Sequence, residues 1–260
     1  MPLQPHVVTG TGDTTVYLFH GIYGGKEYWR FVTERLVAQG YRVIAWDAPG
    51  YGSSPLPDPF SFYVVAEAAA ELVRATASKR NILFGHSMGG QITPRILMKL
   101  GDMVSAAIIT ATIGYFGNRT AAEQEEFVRT RTAPPPANLA PEEAIKLVVN
   151  SMFGAGASGE EVELVRQVAA RTPPKTVKAA VAAIQAYTTA EAVEAIKAIS
   201  VPTLLVAGEV DQTGHVPGMR RVADMISGST FGVVPRSGHY PWAECPAEFN
   251  QILTAFLQRL

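Results

Sequence analysis

Three residues that together would suit acyl-group chemistry each follow a short apolar run of the chain. Ser87 lies in the stretch GHSMG and so matches the G-x-S-x-G pattern, in which a tight strand-to-helix turn exposes a serine nucleophile. The same pattern also suits an ordinary glycine-rich turn, so Ser87 needs further support. A neutral serine attacks only when a base accepts its proton and a third group orients that base. A catalytic role for Ser87 therefore predicts a histidine and a carboxylate at the same place.

His239 is the predicted base. It lies in the stretch SGHYP, between the last apolar run and the last helical pattern. The other four histidines lie near the N-terminus, in turn motifs or at a helix start. Asp211 is the favoured orienting acid and Glu209 is its rival, because both follow the same apolar run. The order Ser87, Asp211, His239 is the chain order expected for such a triad on a parallel sheet.

The glycine-rich stretch HGIYGG, residues 20–25, is the candidate for stabilising negative charge on a substrate. The tetrahedral intermediate of acyl transfer needs hydrogen-bond donors for its oxyanion, and backbone N–H groups commonly supply them. We predict that Ile22 and Met88 provide these two N–H groups, the second one helped by the positive end of its helix. A phosphate loop is the alternative, but the G-x-x-x-x-G-K-[ST] pattern is absent because Glu27 follows Lys26.

The elements that must position these groups alternate along the chain. Short β-rich runs separated by longer helical patterns predict an α/β domain with a mostly parallel sheet and helices on both faces. The predicted strands are 15–19, 42–46, 81–84, 106–110, 203–207 and 230–234. The predicted helices outside the interval 115–199 are 26–39, 61–78, 88–100, 216–226 and 247–260. Pro94 lies inside one of them, where it should bend or break the helix.

The interval 115–199 breaks this alternation, because it contains helical patterns and no convincing strand. Capping boxes beginning at Thr120, Ser158 and Thr188, together with Pro141 followed by two glutamates, predict roughly four helix starts. An insertion after a parallel strand lies over the carboxyl ends of the sheet, where ligands bind. The predicted organisation is a core of residues 1–114 and 200–260 with a helical cap formed by 115–199.

Composition narrows the choice of ligand and location. The 260 residues carry a net charge of −1, and the 22 lysines and arginines are scattered, whereas nucleic-acid binding needs them clustered. With a single cysteine, Cys245, the chain forms no internal disulfide and no zinc site with two thiolates. The N-terminal stretch lacks a signal-peptide pattern, and no apolar run reaches the ~20 residues of a membrane span. We expect a soluble, cytoplasmic protein with a small-molecule substrate and neither metal nor cofactor, as monomer or homodimer.

Apolar residues at the cap and at the rim of the predicted site favour a small, largely apolar substrate. The expected substrate-binding residues are Tyr23, Trp29, Tyr115, Phe116, Met152, Phe153, Tyr187, Tyr240 and Trp242. Each of them singly also suits ordinary core packing. No arginine stands out as a dedicated ligand for a substrate carboxylate: the candidates in the cap interval are Arg119, Arg129, Arg131 and Arg171, and we expect them to be solvated.

Over essentially its whole length the chain resembles the α/β-hydrolase superfamily. The stretches that carry the resemblance are HGIYGG at 20–25, DAPGYGSS at 47–54, GHSMGG at 85–90, VPTLLVAGEVD at 201–211 and GHYPWAE at 238–244. Within the superfamily the sequence is similar to capped bacterial esterases, meta-cleavage-product hydrolases that cleave a carbon–carbon bond, and enol-lactonases. The resemblance implies residues 47–54 as a structural turn near the oxyanion loop. Because only a short segment precedes residue 15, where the family usually has two antiparallel strands, residues 6–9 would supply one, for about seven strands in all.

The resemblance leaves several activities open, because one fold hosts many reactions. Serine at position 87 counts against haloalkane dehalogenases and epoxide hydrolases, which attack with aspartate. The leading hypothesis is hydrolysis of a small carboxylic ester through an acyl-enzyme. Carbon–carbon bond hydrolysis is the first alternative, although those relatives generally carry Asn where this chain has His86; enol-lactone hydrolysis is the next. A ligand-sensing protein that hydrolyses poorly is the non-enzyme alternative.

Overall fold

The structure of the chain is a computed structural model that describes residues 3–134 and 137–260. Within these residues seven strands form one sheet in the order β1-β3-β2-β4-β5-β6-β7. The strands are β1 His6–Thr9, β2 Thr14–Phe19, β3 Arg42–Trp46, β4 Arg80–His86, β5 Ala106–Thr110, β6 Thr203–Gly208 and β7 Thr230–Val234. β1 runs antiparallel to β3, and every other pair is parallel. The predicted mostly parallel sheet of about seven strands is confirmed.

Eleven α-helices occur in the same described residues. They are α1 Arg30–Ala38, α2 Phe62–Thr76, α3 Met88–Leu100, α4 Ala121–Thr132, α5 Pro141–Asn150, α6 Glu160–Ala170, α7 Pro174–Ala186, α8 Thr189–Lys197, α9 Val216–Ala223, α10 Pro241–Glu244 and α11 Pro246–Leu257. None of them is both long and apolar enough to cross a membrane. The cytoplasmic location stays a prediction.

Helices cover both faces of the sheet. In β4, the ring of Phe84 stacks on Phe249 of α11, with centroids 6.1 Å apart. A Cβ on the next residue, Gly85, would lie 2.3 Å from the Thr93 hydroxyl of α3. Because consecutive side chains of a strand point to opposite faces, α11 and α3 lie on opposite sides of the sheet.

The register of the parallel strands brings their carboxyl ends level with one another. Phe19 of β2 is paired with Gly85 of β4, and the next residue, His86, is paired with Thr110 of β5. Thr110 is in turn paired with Val206 of β6. The loops that follow these strands therefore leave the sheet along one edge, which is where ligands bind in parallel α/β sheets.

The described part of the interval between β5 and β6 contains five α-helices, α4 to α8, rather than the expected four. The capping boxes at Thr120 and Thr188 form. The one expected at Ser158 does not, because α6 begins at Glu160 after Gly159, whose φ is +109°. The additional helix is α7, which begins at Pro174. Proline is well accepted in the first turn of a helix, so Pro173-Pro174 marks a helix start and not only a break.

Of the two expected effects of Pro94, a bend or a break, the structure does not show the break. α3 continues through it from Met88 to Leu100. Proline removes one backbone hydrogen bond, the one to the carbonyl of Gly90. The whole stretch 88–94 is buried, so tertiary packing compensates for the bond that is lost.

Candidate active site

Ser87 lies between β4 and α3 in a conformation that non-glycine residues rarely adopt, with φ +52° and ψ −113°. Its N–H donates to the carbonyl of Thr110 on the neighbouring strand, at 2.9 Å. The turn is closed on its inner side, because a Cβ at Gly85 would lie 2.4 Å from the carbonyl oxygen of Gly89. Ser87 is also less buried than the residues on either side of it. The local sequence thus presents a strained, accessible hydroxyl at the sheet edge.

His239 and Asp211 meet this hydroxyl from two other strand ends. His239 Nε2 lies 3.1 Å from Ser87 Oγ, and His239 Nδ1 lies 2.9 Å from Asp211 Oδ2. The second carboxylate oxygen of Asp211 accepts the N–H of Thr213 at 2.7 Å. Both side chains are almost fully buried, with His239 3% and Asp211 2% exposed. In the neutral ring, Nδ1–H donates to the carboxylate and leaves Nε2 free to accept the serine proton.

Glu209, the rival acid, points away from this arrangement. It is exposed, and its carboxylate accepts the backbone N–H of Arg236 at 2.7 Å. Of the two carboxylates after β6, the structure therefore brings only Asp211 to the imidazole.

Glu244 is a residue that sequence reasoning missed. Its carboxylate accepts three backbone N–H groups: Gly154 at 2.7 Å, Gly238 at 2.9 Å and Tyr240 at 2.8 Å. Two of these donors flank His239, whose own N–H donates to the carbonyl of Met152 at 2.8 Å. Residues 235–240 connect β7 to α10 and carry His239; they are called the histidine loop below. The Glu244 carboxylate thus holds the histidine loop in place. Its position five residues after the histidine, within the stretch GHYPWAE, is the signal that could have indicated it.

The loop 20–25 is fixed from both sides. The N–H of Gly21 donates to the Tyr28 hydroxyl at 2.9 Å. His20 Nε2 accepts the N–H of Ala48 at 3.0 Å, so Nδ1 carries the proton and donates to the Gly21 carbonyl at 2.8 Å. Burial lowers the pKa of His20 to about 4, which keeps the ring neutral near pH 7. The contact with Ala48 agrees with a structural role for the turn at 47–54.

The two predicted oxyanion donors are the N–H groups of Ile22, in the loop 20–25, and of Met88, at the start of α3. Ile22 is 5% exposed and lines the same cavity as Ser87. Met88 directly follows the serine as the first residue of α3, where N–H groups have no partner within the helix. Within the described residues neither N–H makes a hydrogen bond. Their role as oxyanion donors stays a prediction.

His86 lies beneath the imidazole of His239 as a neutral packing partner. The two ring centroids are 4.8 Å apart, and the ring of Trp242 is 4.4 Å from His86 on another side. His86 Nδ1 lies 3.3 Å from the hydroxyl of Thr110. Burial, reinforced by the neighbouring His239, lowers the pKa of His86 well below its usual value. A cation at this position would oppose the charge that His239 takes up as a base.

The chain compares directly with known proteins over this framework. Residues 16–252 match the family described as the alpha/beta hydrolase family. The chain belongs to this family. The resemblance carried by the sequence motifs is thereby confirmed.

Its relatives in the alpha/beta hydrolase family include proteins of different length. Human Protein ABHD8 is 26% identical over 250 residues, which cover 94% of this chain and 55% of that protein. The chain thus spans about half the length of the first curated relatives it matches. A pimeloyl-acyl-carrier-protein methyl ester esterase of Pectobacterium carotovorum is 26% identical over 267 residues, 96% of each chain. A solved esterase structure from Thermogutta terrifontis superposes with a TM-score of 0.83 at 25% identity, covering 98% of this chain and 93% of that one.

The cavity beside Ser87 contains three of the nine expected substrate-binding residues, namely Tyr23, Met152 and Tyr240. Trp29 and Trp242 instead pack on each other beneath His86, with ring centroids 4.6 Å apart. The other four do not line this cavity: Tyr115 and Phe116 pack near the start of the helical interval, Phe153 packs on Tyr240, and Tyr187 packs on Phe62. Each of these six aromatic side chains packs on other hydrophobic residues, and Phe116 also lines a separate cavity away from Ser87.

The four arginines expected to be solvated divide into two pairs. Arg129 and Arg171 are exposed, with side chains 64% and 61% accessible, and each pairs with a glutamate. Arg119 and Arg131 line the cavity beside Ser87, and Arg119 is only 9% exposed. The expectation that all four are solvated is therefore wrong for Arg119. Gln91, whose Oε1 is buried without a partner, adds a further polar group to the same cavity.

Proposed function

We propose that the chain is a serine hydrolase that cleaves a small carboxylic ester through an acyl-enzyme intermediate. The observation that carries this proposal is the hydrogen-bonded series from Ser87 Oγ to His239 Nε2 and from His239 Nδ1 to Asp211. It joins a nucleophile, a base and an orienting acid in the roles that acyl transfer needs. Membership of the alpha/beta hydrolase family and the esterases among its relatives support the same reaction.

The first half of the reaction forms the acyl-enzyme. His239 Nε2 takes the proton of Ser87 as Oγ attacks the ester carbonyl, and the oxyanion accepts hydrogen bonds from the N–H groups of Ile22 and Met88. The tetrahedral intermediate then expels the alcohol, which receives the proton from His239. Asp211 holds the ring in the tautomer that accepts at Nε2 and stabilises the imidazolium.

The second half returns the enzyme to its starting state. His239 takes a proton from a water molecule, which attacks the acyl carbon bound to Ser87. The same two N–H groups stabilise the second oxyanion, and collapse of this intermediate breaks the bond to Oγ. His239 then returns the proton to Ser87, and the carboxylic acid leaves.

Residues 115–199 act in this proposal as a cap over the site, while 1–114 and 200–260 form the core. Support comes from the cavity wall, in which Arg119, Phe127 and Ile184 from this interval face Ile22 and Ser87 from the core. A site closed by such a wall excludes water and selects substrates by shape.

The test is hydrolysis of 4-nitrophenyl acetate by the purified chain and by Ser87→Ala. We expect turnover in the parent chain and a loss of at least about 10³-fold in the variant. Ser227→Ala, at an exposed position, is the matched control and retains full activity. A 4-nitrophenyl phosphonate should add one phosphonyl group, located on Ser87 by peptide mass spectrometry. An adduct on another residue, or activity that survives Ser87→Ala, would overturn the assignment.

The same assays separate the alternatives. A ring-fission dienone and an enol-lactone, offered under identical conditions, report carbon–carbon bond and lactone hydrolysis. A chain that binds an ester but turns over none of these substrates would be the ligand-sensing protein.

A further inference from the structure

Arg119 is a buried cation with an unused hydrogen-bonding group. Its side chain is 9% exposed, and its Nη1 is buried and has no hydrogen-bond partner within the described residues. The guanidinium carbon lies 4.4 Å from the centroid of the Phe127 ring. Burial lowers the pKa of Arg119 to about 10, so the group still carries its charge near pH 7. A buried guanidinium with a free N–H is costly unless something pairs with it.

Arg131 places a second cation beside the first. Its guanidinium carbon lies 4.0 Å from the centroid of the same Phe127 ring. Its N–H groups donate to neutral oxygens only: the Phe127 carbonyl at 3.2 Å, the Thr130 hydroxyl at 3.1 Å and the Thr213 hydroxyl at 3.3 Å. No carboxylate in the described residues forms a salt bridge with Arg119 or Arg131.

The nearby acidic residues are already engaged. Among the described residues that line the cavity with Ser87, none is Asp or Glu, whereas Glu123 and Glu126 line the larger cavity next to it. Glu123 accepts the N–H and hydroxyl of Thr120, and Glu126 pairs with Arg129. Asp211 accepts from His239 and Thr213. The two arginines therefore lack a dedicated counterion of their own, which distinguishes them from the paired arginines of the chain surface.

The arginines lie beside the space that an ester at Ser87 would occupy. The space directly at Ser87 is about 20 Å³, room for about one water molecule. A cavity of about 410 Å³ adjoins it, and Arg119 and Arg131 line both. An ester at Ser87 with its unreacting end in the larger cavity would pass the two guanidinium groups.

We propose that Arg119 and Arg131 form an anion subsite for a carboxylate carried by the substrate, so that the ester cleaved at Ser87 is an acidic ester. This inference rests on the proposed function and refines it, because the sequence alone favours a largely apolar substrate. Guanidinium groups bind carboxylates through paired N–H···O bonds. The carboxylate belongs either to the acyl part, as in the half-ester of a dicarboxylic acid, or to the alcohol part.

Two matched pairs of esters test the preference. Mono-4-nitrophenyl glutarate and 4-nitrophenyl hexanoate compare an acidic with a neutral acyl part of similar length. 3-Acetoxybenzoate and 3-acetoxybenzamide compare an acidic with a neutral leaving group. We expect the acidic member of at least one pair to have the higher kcat/KM, mainly through a lower KM. Equal values, or preference for the neutral member, in both pairs would overturn the proposal.

Variants test whether the arginines cause the preference. Arg119→Met and Arg131→Met should each lower the ratio of kcat/KM for the acidic ester to that for the neutral one by about tenfold to a hundredfold, the range for a hydrogen bond to a charged group. Arg171→Met removes an exposed arginine that pairs with Glu27, away from both cavities, and is the matched control, with an unchanged ratio. Unchanged ratios in both arginine variants would refute their role.

A measurement on the parent chain covers the case in which a variant fails to fold. Glutarate should inhibit ester hydrolysis competitively at concentrations at least about tenfold below those of glutaramide, its neutral isostere. Equal inhibition constants would count against the subsite. Ser87→Ala should still bind glutarate in calorimetry, and the double variant with Arg119→Met should not.

These outcomes separate the two proposals. Ser87-dependent hydrolysis without preference for acidic esters removes the subsite and leaves the esterase. Binding of glutarate that depends on Arg119, without Ser87-dependent hydrolysis of any ester, keeps the subsite and removes the esterase.

Discussion

Glu244→Gln is the perturbation that most directly tests how the histidine loop is held. One carboxylate accepts the N–H groups of Gly154, Gly238 and Tyr240, two of them at Oε2 and one at Oε1. A glutamine has nearly the same shape but only one accepting oxygen. Its NH₂ group must therefore face at least one backbone N–H, donor against donor.

The magnitude follows from the type of bond that is lost. A hydrogen bond to a charged group contributes roughly 1.5–3 kcal/mol, and Glu244 is partly exposed, so water replaces part of the loss. We expect the free energy of unfolding to fall by about 2 kcal/mol, which lowers Tm by roughly 4–8 °C for a chain of this size. Displacement of His239 should also lower kcat by about tenfold, because acyl transfer depends on sub-ångström placement of the base.

The assay combines a thermal melt with the kinetics of 4-nitrophenyl acetate hydrolysis. Glu248→Gln is the matched control, since Glu248 lies one turn further along and pairs with the exposed side chain of Arg236 instead of with the backbone N–H groups that flank His239. It should leave both Tm and kcat within error of the parent chain. A Glu244→Gln variant with parental Tm and kcat, or one no worse than the control, would refute the bracing role.

Two further predictions concern the orienting acid and a buried histidine. Asp211→Asn should lower kcat by about 10³–10⁴-fold with little change in KM. The reason is that the asparagine amide donates to His239 Nδ1, which leaves the ring proton on Nε2, where the base should accept. A near-parental kcat in steady-state kinetics would contradict this prediction. Because burial lowers the pKa of His20 to about 4, below its usual value of about 6.5, the unfolded chain binds a proton between these values that the folded chain does not. The contribution of His20 to the free energy of unfolding, measured in urea, should therefore be highest above about pH 6.5 and fall by up to about 3 kcal/mol towards pH 4. A free energy of unfolding that stays constant or rises as the pH falls over this range would contradict the neutral, buried ring.

The sequence predicted the meeting of three distant residues because strand ends are easy to recognise and parallel strands share an edge. Ser87, Asp211 and His239 each follow a β-rich run, so the topology alone places them together. Glu209 and Asp211 were indistinguishable on that basis, because both follow β6. Which carboxylate turns inward depends on the hydrogen bonds of the loop, such as the one from Thr213 N–H to Asp211.

The substrate pocket was less predictable, because its walls depend on helices that pack without a repeating register. An aromatic residue near the site in sequence, such as Trp242, fills the core beneath His86 instead of the cavity. Side chains of Met152 and Tyr240 line the cavity because the segment after α5 docks on the histidine loop, through the bond from His239 N–H to the Met152 carbonyl. Spacing along the sequence does not predict such a contact between distant segments.

Helical periodicity in α4 does separate the arginines that sequence composition treats alike. Phe127 is the buried residue of this helix, and Arg131 follows it by four positions, which places both on one face. Arg129 follows Phe127 by only two positions and so points elsewhere, towards Glu126. The inward position of Arg119 has no such signal, since it precedes the helix and depends on the turn at Phe116–Asn118, whose Phe116 carbonyl accepts its N–H. Of the two arginines of the proposed anion subsite, helical periodicity therefore indicates the inward position of Arg131, whereas the inward position of Arg119 is seen only in the structure.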